Sequence, residues 1–398
     1  MTAAPSLGSW RLRVVGVVVP VGALLLGLAL LVPGAAPTPS VVDAPGATRT
    51  ACLDTSTVDD VPELDRFVRS VRGSDAFAGG DVGASTRLQD GRQVFVFGDT
   101  LRAADFEGQR FVRNSMLVAS PRCVSVVLPA DRGAVVPDRR DGVGYWPMSI
   151  ARVARPGYDL VGVALQRVRA TDDPAAGVFA FEILGPALAV FVVPVGGVPQ
   201  LVSRTDLGAD RVATTRPMWG AASAVAGDWV YLYGTARPDH ATTGGFSLRV
   251  ARVRPEQVQD QRRWRYWTGS RWQSDPARSA ELIGSSGGVS QTLSVFEQDG
   301  TWYALSKRDE VLGRDLAIWT APAPTGPFRL AARPLAIPSS AATGTLRYLP
   351  LAHPELFPRP GTVVVSYSQN NTDFQTVLDD PRRYRPRFLR VRLPAPTR

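Results

Sequence analysis

The sequence predicts an all-β protein, a five-bladed β-propeller with an N-terminal transmembrane or signal segment. Three observations carry this. First, aromatic or β-branched strands entered through a Gly turn recur with turn glycines at Gly91, Gly157, Gly227, Gly300 and Gly361, at intervals of 66, 70, 73 and 61 residues. Second, each of these strands follows a segment of small or aromatic residues, and a third apolar strand follows in most units. Third, 37 Gly and 33 Pro in 398 residues punctuate the chain with turns and leave little room for long helices. Strand units repeated at this spacing protect their edges by radial stacking, which is the propeller solution.

Taken in order, residues 1–13 form a cytoplasmic n-region containing Arg11 and Arg13, and residues 14–32, Val14 to Val32, carry no charge. A run of that length spans a bilayer, with the arginines holding its start on the cytoplasmic side. The small residues at Gly34-Ala35-Ala36 equally suit a cleavage site. Either reading makes the remainder extracytoplasmic, membrane-anchored or secreted. Residues 33–60 read as a linker rich in Ala, Pro, Thr and Ser. The propeller is expected over 61–398, opening with a short helix that places Leu64, Phe67, Val68 and Val71 on one face. Cys52 and Cys123 are the only cysteines; outside the cytoplasm they are expected to pair as a disulfide. The net charge of +9 is almost wholly arginine, with Lys307 the single lysine. An exported chain of this kind does not meet nucleic acid. The expected partner is a cell-envelope polysaccharide, and a monomer is expected.

The first unit is the most informative. Gly79-Gly80-Asp81 opens a small-residue strand, Asp90-Gly91 turns it, and Val94-Phe95-Val96-Phe97-Gly98-Asp99-Thr100 returns. Pairing about Asp90 sets Asp81 opposite Asp99, where opposed β-carbons lie roughly 5 Å apart. In a propeller the starts of first strands and the ends of second strands ring one mouth of the channel. That ring is expected to hold Asp81, Asp99, Asn114, Trp146, Trp219, Gln291, Lys307, His353, Glu355, Tyr367 and Asn370.

Asp81, Asp99 and Glu355 are the candidate catalytic residues. Glycosidic cleavage needs one protonated carboxyl and one ionised carboxylate, and close carboxylates raise each other's proton affinity. Facing strand neighbours imply a short separation, which favours retention of configuration. Each acid also has an ordinary reading: an Asx turn at Asp99, a strand cap at Asp81, an exposed loop acid at Glu355. Asn114, Gln291, Lys307, His353, Tyr367 and Asn370 are candidate substrate-binding residues, and Trp146 and Trp219 are sugar-stacking candidates or fillers between blades. With only His240 and His353, a three-histidine metal site is excluded. No phosphate-cradling Gly-rich loop precedes a helix. No cofactor is expected; a structural calcium ion suits such propellers, though no ligand motif calls for one.

Gly-Gly-Asp81, Val-Phe-Gly-Asp99-Thr and Arg-Asn114-Ser together resemble a group of exported, largely actinobacterial propeller domains related to the endo-D-arabinanases. More widely they are similar to the propellers of glycoside hydrolase family 43. The resemblance spans roughly residues 75–395, with its specific motifs concentrated in the first unit. It implies furanoside hydrolysis with Asp81 and Asp99 as the catalytic pair. Family 43 spreads its carboxylates over several blades, whereas the first strands of units two to four here carry no acid at that place. The expectation is a glycosidase of arabinan or another envelope glycan. The alternative is a catalytically silent propeller that binds envelope glycan or a protein partner.

Overall fold

The computed structural model describes residues 40–41, 46–238, 244–310 and 313–395. The chain folds into five antiparallel sheets in sequence order. The first contains β1 (Gly79–Arg87), β2 (Gln93–Leu101), β3 (Ser115–Ser120) and β4 (Cys123–Leu128). The second contains β5 (Gly144–Arg155), β6 (Tyr158–Ala170), β7 (Phe181–Pro194) and β8 (Gln200–Asp206). The third contains β9 (Met218–Ala226), β10 (Trp229–Ala236), β11 (Ser247–Val253) and β12 (Arg265–Trp267), edged by Trp272–Gln273. The fourth is β13 (Ser294–Gln298), β14 (Thr301–Lys307), β15 (Asp315–Ala321) and β16 (Arg329–Ala336). The last is β17 (Thr345–His353), β18 (Thr362–Asn371) and β19 (Arg387–Arg392).

The all-β propeller expectation holds, but the five-bladed expectation is corrected. Four sheets reach the four strands of a complete blade, and the C-terminal sheet stops at three. Helix α1 (Val61–Ser70) packs against β19, and Asp65 accepts a hydrogen bond from the Phe388 amide at 2.9 Å. The helix thus covers the edge on which a fourth strand would pair. The expected transmembrane or signal segment, residues 14–32, lies outside the described residues, as do residues 1–13. Among the described residues no helix is long and apolar enough to cross a membrane. Part of the expected linker is structured: Thr48–Arg49 and Leu53–Asp54 pair with β4, and the Cys52–Cys123 disulfide fastens them there.

The periodicity of the strands explains the core. Alternate residues of β2 and β3 (Val94, Val96, Met116) pack against Val161, Val163 and Leu165 of β6. Leu305 and Ile318 of the fourth sheet meet Val363 and Val365 of the last in the same way. Each such side chain contributes about 1.5–3 kcal/mol of burial, so the sheets are joined face to face by apolar layers. First and last sheets share the first such layer through Leu351, and polar contacts add to it. Arg385, buried, donates to the carbonyls of Val68 and Val71 at the end of α1 and to Ala78. Buried His353 bridges Ser85 and Ser366, each at 2.7 Å. Val82 donates its amide to Ser368 Oγ at 2.9 Å.

One irregularity positions everything that follows. The inner strands β1, β5, β9 and β17 each carry a register shift, in β1 and β9 close to the start. A bulge bends a strand and re-aims its side chains. Repeated around the channel, it turns the opening residues of these strands towards one mouth.

Candidate active site

In β1, Gly80 pairs with Thr100 and Val82 with Phe97, so Asp81 alone opposes the two residues Gly98 and Asp99. This bulge brings both acids together. Gly98 is demanded by the arrangement, since a β-carbon there would lie 2.4 Å from Asp81 Oδ1. Gly79 is equally constrained: its missing β-carbon would fall 2.6 Å from the Tyr384 carbonyl oxygen. That close approach carries the Tyr384 phenol to Asp81. The Tyr348 hydroxyl donates to Asp81 Oδ2 at 2.8 Å, and Tyr384 also hydrogen-bonds this carboxylate. Val82, next along, holds φ at 67°, a left-handed conformation costly for a β-branched residue and characteristic of functional sites.

Asp99 accepts from the Trp146 indole at 2.6 Å and faces the Arg113 guanidinium at 3.5 Å. Arg113 lies over the Trp146 ring, whose far edge rests on Phe181. The Asp99 side chain keeps 19% of its surface accessible, so the pair can be reached from the mouth. Burial raises the proton affinity of Asp81, and hydrogen bonds from the two tyrosines only partly offset it. Burial raises that of Asp99 too, with the neighbouring Asp81 charge adding to it against the pull of Arg113 and Trp146. Near neutral pH the pair therefore retains a proton that ordinary aspartates would have lost.

A third acid at this mouth is Glu310, which sequence reasoning missed. It follows β14, the second strand of the fourth sheet, much as Asp99 lies near the end of β2. Asp309 and Glu310 are successive non-glycine residues with φ of 61° and 65°. Glu310 Oε2 accepts the Gln291 amide at 2.6 Å. Burial pushes its carboxyl up to about 7, opposed by that hydrogen bond and by the charges of Arg237 and Lys307. Beside it, buried Lys307 is brought down to about 8 by desolvation and donates to the Arg347 carbonyl at 2.6 Å. The signal was present in Lys307-Arg308-Asp309-Glu310, ten residues after the Gly300 turn where Asp99 stands eight after Gly91.

Other expected site residues divide. Trp146 is at the mouth, bound to Asp99. Gln291 and Lys307 flank Glu310, and Asn370 hydrogen-bonds the Tyr348 hydroxyl that holds Asp81. The remainder are corrected. Asn114 is fully buried, and its amide bonds the backbone of Val136 and Tyr145. Trp219 is buried against Tyr266, ring centroids 5.0 Å apart. Tyr367 packs on the apolar layer between the fourth and last sheets. His353 and Glu355 belong to the far end of the channel. Along β17, Tyr348 reaches Asp81, His353 reaches Ser85, and Glu355 accepts the Arg87 amide at the end of β1. Glu355 is thus remote from the pair because it lies at the opposite end of the same strands. Burial pushes the His353 imidazole down to about 3, which removes it as a base. His240 lies outside the described residues.

A family model described as a domain of unknown function (DUF5005) matches residues 63–393. The chain belongs to the DUF5005 family. A comparison with curated proteins finds no match. Among solved structures, this DUF5005 member is similar to "a putative hydrolase" from Bacteroides ovatus ATCC 8483, at TM-score 0.59 and 19% identity, over 82% of this chain and 88% of that one. A weaker likeness is to CoXyl43, a GH43 β-xylosidase/α-arabinofuranosidase from a compost metagenome in complex with xylotriose (TM-score 0.44, 11% identity, 81% and 94% covered). Another is to the GH43_1 enzyme of Xanthomonas citri complexed with xylotriose (TM-score 0.44, 14% identity, 83% and 92% covered). At these identities the comparison with the Bacteroides protein bears on the DUF5005 fold alone.

Proposed function

We propose that the protein is an exported glycoside hydrolase acting on a cell-envelope glycan, an arabinofuranose polymer. The observation that carries this reading is the Asp81–Asp99 pair, two acids from adjacent strands whose burial and mutual charge hold a proton at an accessible mouth. Cleavage moves one proton onto the leaving glycosidic oxygen while water, or a carboxylate, takes the anomeric carbon. In this reading the aspartate pair serves the anomeric carbon, and Glu310, protonated up to about neutral pH, supplies the proton to the leaving oxygen. Trp146 and Arg113 orient Asp99; Tyr348 and Tyr384 orient Asp81. The Cys52–Cys123 disulfide supports a location outside the cytoplasm.

The test is release of reducing ends from a panel of envelope polysaccharides, arabinogalactan included. The wild-type chain is expected to release sugar, and Asp81→Asn and Asp99→Asn to lose at least ~10³-fold in rate while keeping their circular dichroism. Undiminished release by both variants would overturn the assignment. Binding of a glycan by the wild-type chain without release would turn the reading to a silent glycan-binding propeller.

A further inference from the structure

A cavity opens on the same face as the carboxylates, between the second and third sheets. It has a volume of about 450 Å³ and is lined by residues that include Met218 and Trp219 from the start of β9. Trp219 and Tyr266 form its floor, packed against each other and almost fully buried. Its charged lining is entirely basic: Arg211, Arg216 and Arg249, with no carboxylate. The acids nearest in sequence are already engaged. Asp210 is held by Arg139 and Arg167 at 2.7 and 3.0 Å, and Glu281 by Arg249 at 2.8 Å. Arg249 spends its charge on that ion pair, although its buried Nε has no hydrogen-bond partner among the described residues. Arg211 and Arg216 are exposed and form no side-chain ion pair or hydrogen bond among the described residues. Two unneutralised guanidiniums at the rim of a cavity suit a sugar bearing an oxyanion, because the planar fork matches carboxylate and phosphate oxygens.

We propose that this cavity is an accessory subsite for an anionic substituent, carboxylate or phosphate, on the glycan. That the anion belongs to a glycan rests on the function proposed above; that the cavity binds an anionic sugar does not. Arg211 and Arg216 would grip the oxyanion. The chain's net charge of +9 would draw such a polymer to the surface.

The experiment is calorimetric titration of the full-length Asp99→Asn chain with three probes: trigalacturonate, glucose 6-phosphate and neutral xylotriose. At low salt, at least one anionic probe is expected to bind at least tenfold more tightly than xylotriose. The Arg211→Ala/Arg216→Ala double variant is expected to lose at least tenfold of that affinity, and Arg211→Lys/Arg216→Lys to recover part of it. Preference for trigalacturonate assigns a carboxylate, and preference for the phosphate ester assigns a phosphate. Equal affinity for all three probes, failure of both anionic probes to bind, or unchanged binding in the double alanine variant would overturn the proposal. Because no turnover is needed, anion binding that persists in a chain found unable to hydrolyse any glycan would refute the hydrolase reading and leave this one standing.

Discussion

The two ends of the channel are built from the same inner strands and contain the same kinds of residue, yet they treat acids in opposite ways. At one end, bulges in β1 and β17 fold Asp81 and Asp99 inward among Tyr348, Tyr384 and Trp146, and desolvation makes them hold protons. Glu310 stands at the same end, after the second strand of the fourth sheet, with its backbone in the left-handed region. At the other end the strands finish in plain turns. Glu355 stands exposed there, its carboxylate occupied by the Arg87 amide. The difference teaches that an acid's chemistry comes from how far the backbone carries it out of water, and local sequence says little about that. His353, also towards the far end, shows the converse: buried and saturated by two serines, it closes the ring and has no spare nitrogen for catalysis.

Exchanging an acid at each end would sharpen this contrast most. Glu310→Gln is expected to lower kcat by ~10²-fold and to remove the limb of the pH–rate profile that falls above about 7. Glu355→Gln is expected to leave rate and profile within about twofold, an exposed acid being worth little. Steady-state kinetics across pH 4–9 checks both. Equal losses in the two variants would erase the distinction between the ends.

The next effect is on stability and has opposite signs at the two places. Glu310 binds its proton more tightly folded than unfolded, so its contribution is fully present below its ordinary value and is lost as pH rises from about 4.5 to about 7. His353 is held neutral, so its contribution is present above its ordinary 6.5 and is lost as pH falls towards about 3. Urea unfolding at several pH values is expected to show Glu310→Gln gaining stability over wild type above pH 7, by no more than about 3 kcal/mol. A Glu310→Gln variant that loses stability there would show that the carboxylate is not strained by burial. Smaller again, His353→Ala is expected to cost about 2 kcal/mol through two unpaired serines and a cavity. Hydrolysis should persist at temperatures below its lowered Tm.

Much of the fold was legible because period-two alternation and Gly turns are local signals. The strands expected after the turn glycines recur: β2, β6, β10, β14 and β18 each open one or two residues after Gly91, Gly157, Gly227, Gly300 and Gly361. The aspartate pair was legible as well, since two strands folding about one tight turn bring the same residues face to face. The rest depended on contacts between distant segments. Asn114, Trp219 and His353 are polar or aromatic residues at plausible positions, and only packing shows that Val136, Tyr266 and the serines consume them. Glu355 was placed at the wrong mouth because the inner strand of its sheet starts at Thr345, so His353 already ends it.

The sequence by itself determined an all-β chain of repeated antiparallel units, the disulfide and the meeting of Asp81 with Asp99, because each follows from alternation, turn geometry or cysteine number. Tertiary structure alone decided that the last sheet stops at three strands under α1, that Glu310 is buried beside Lys307, and that Arg211 and Arg216 line a cavity. Those outcomes rest on which surfaces meet after the sheets assemble, and burial, unlike pairing, is a property of the whole assembly.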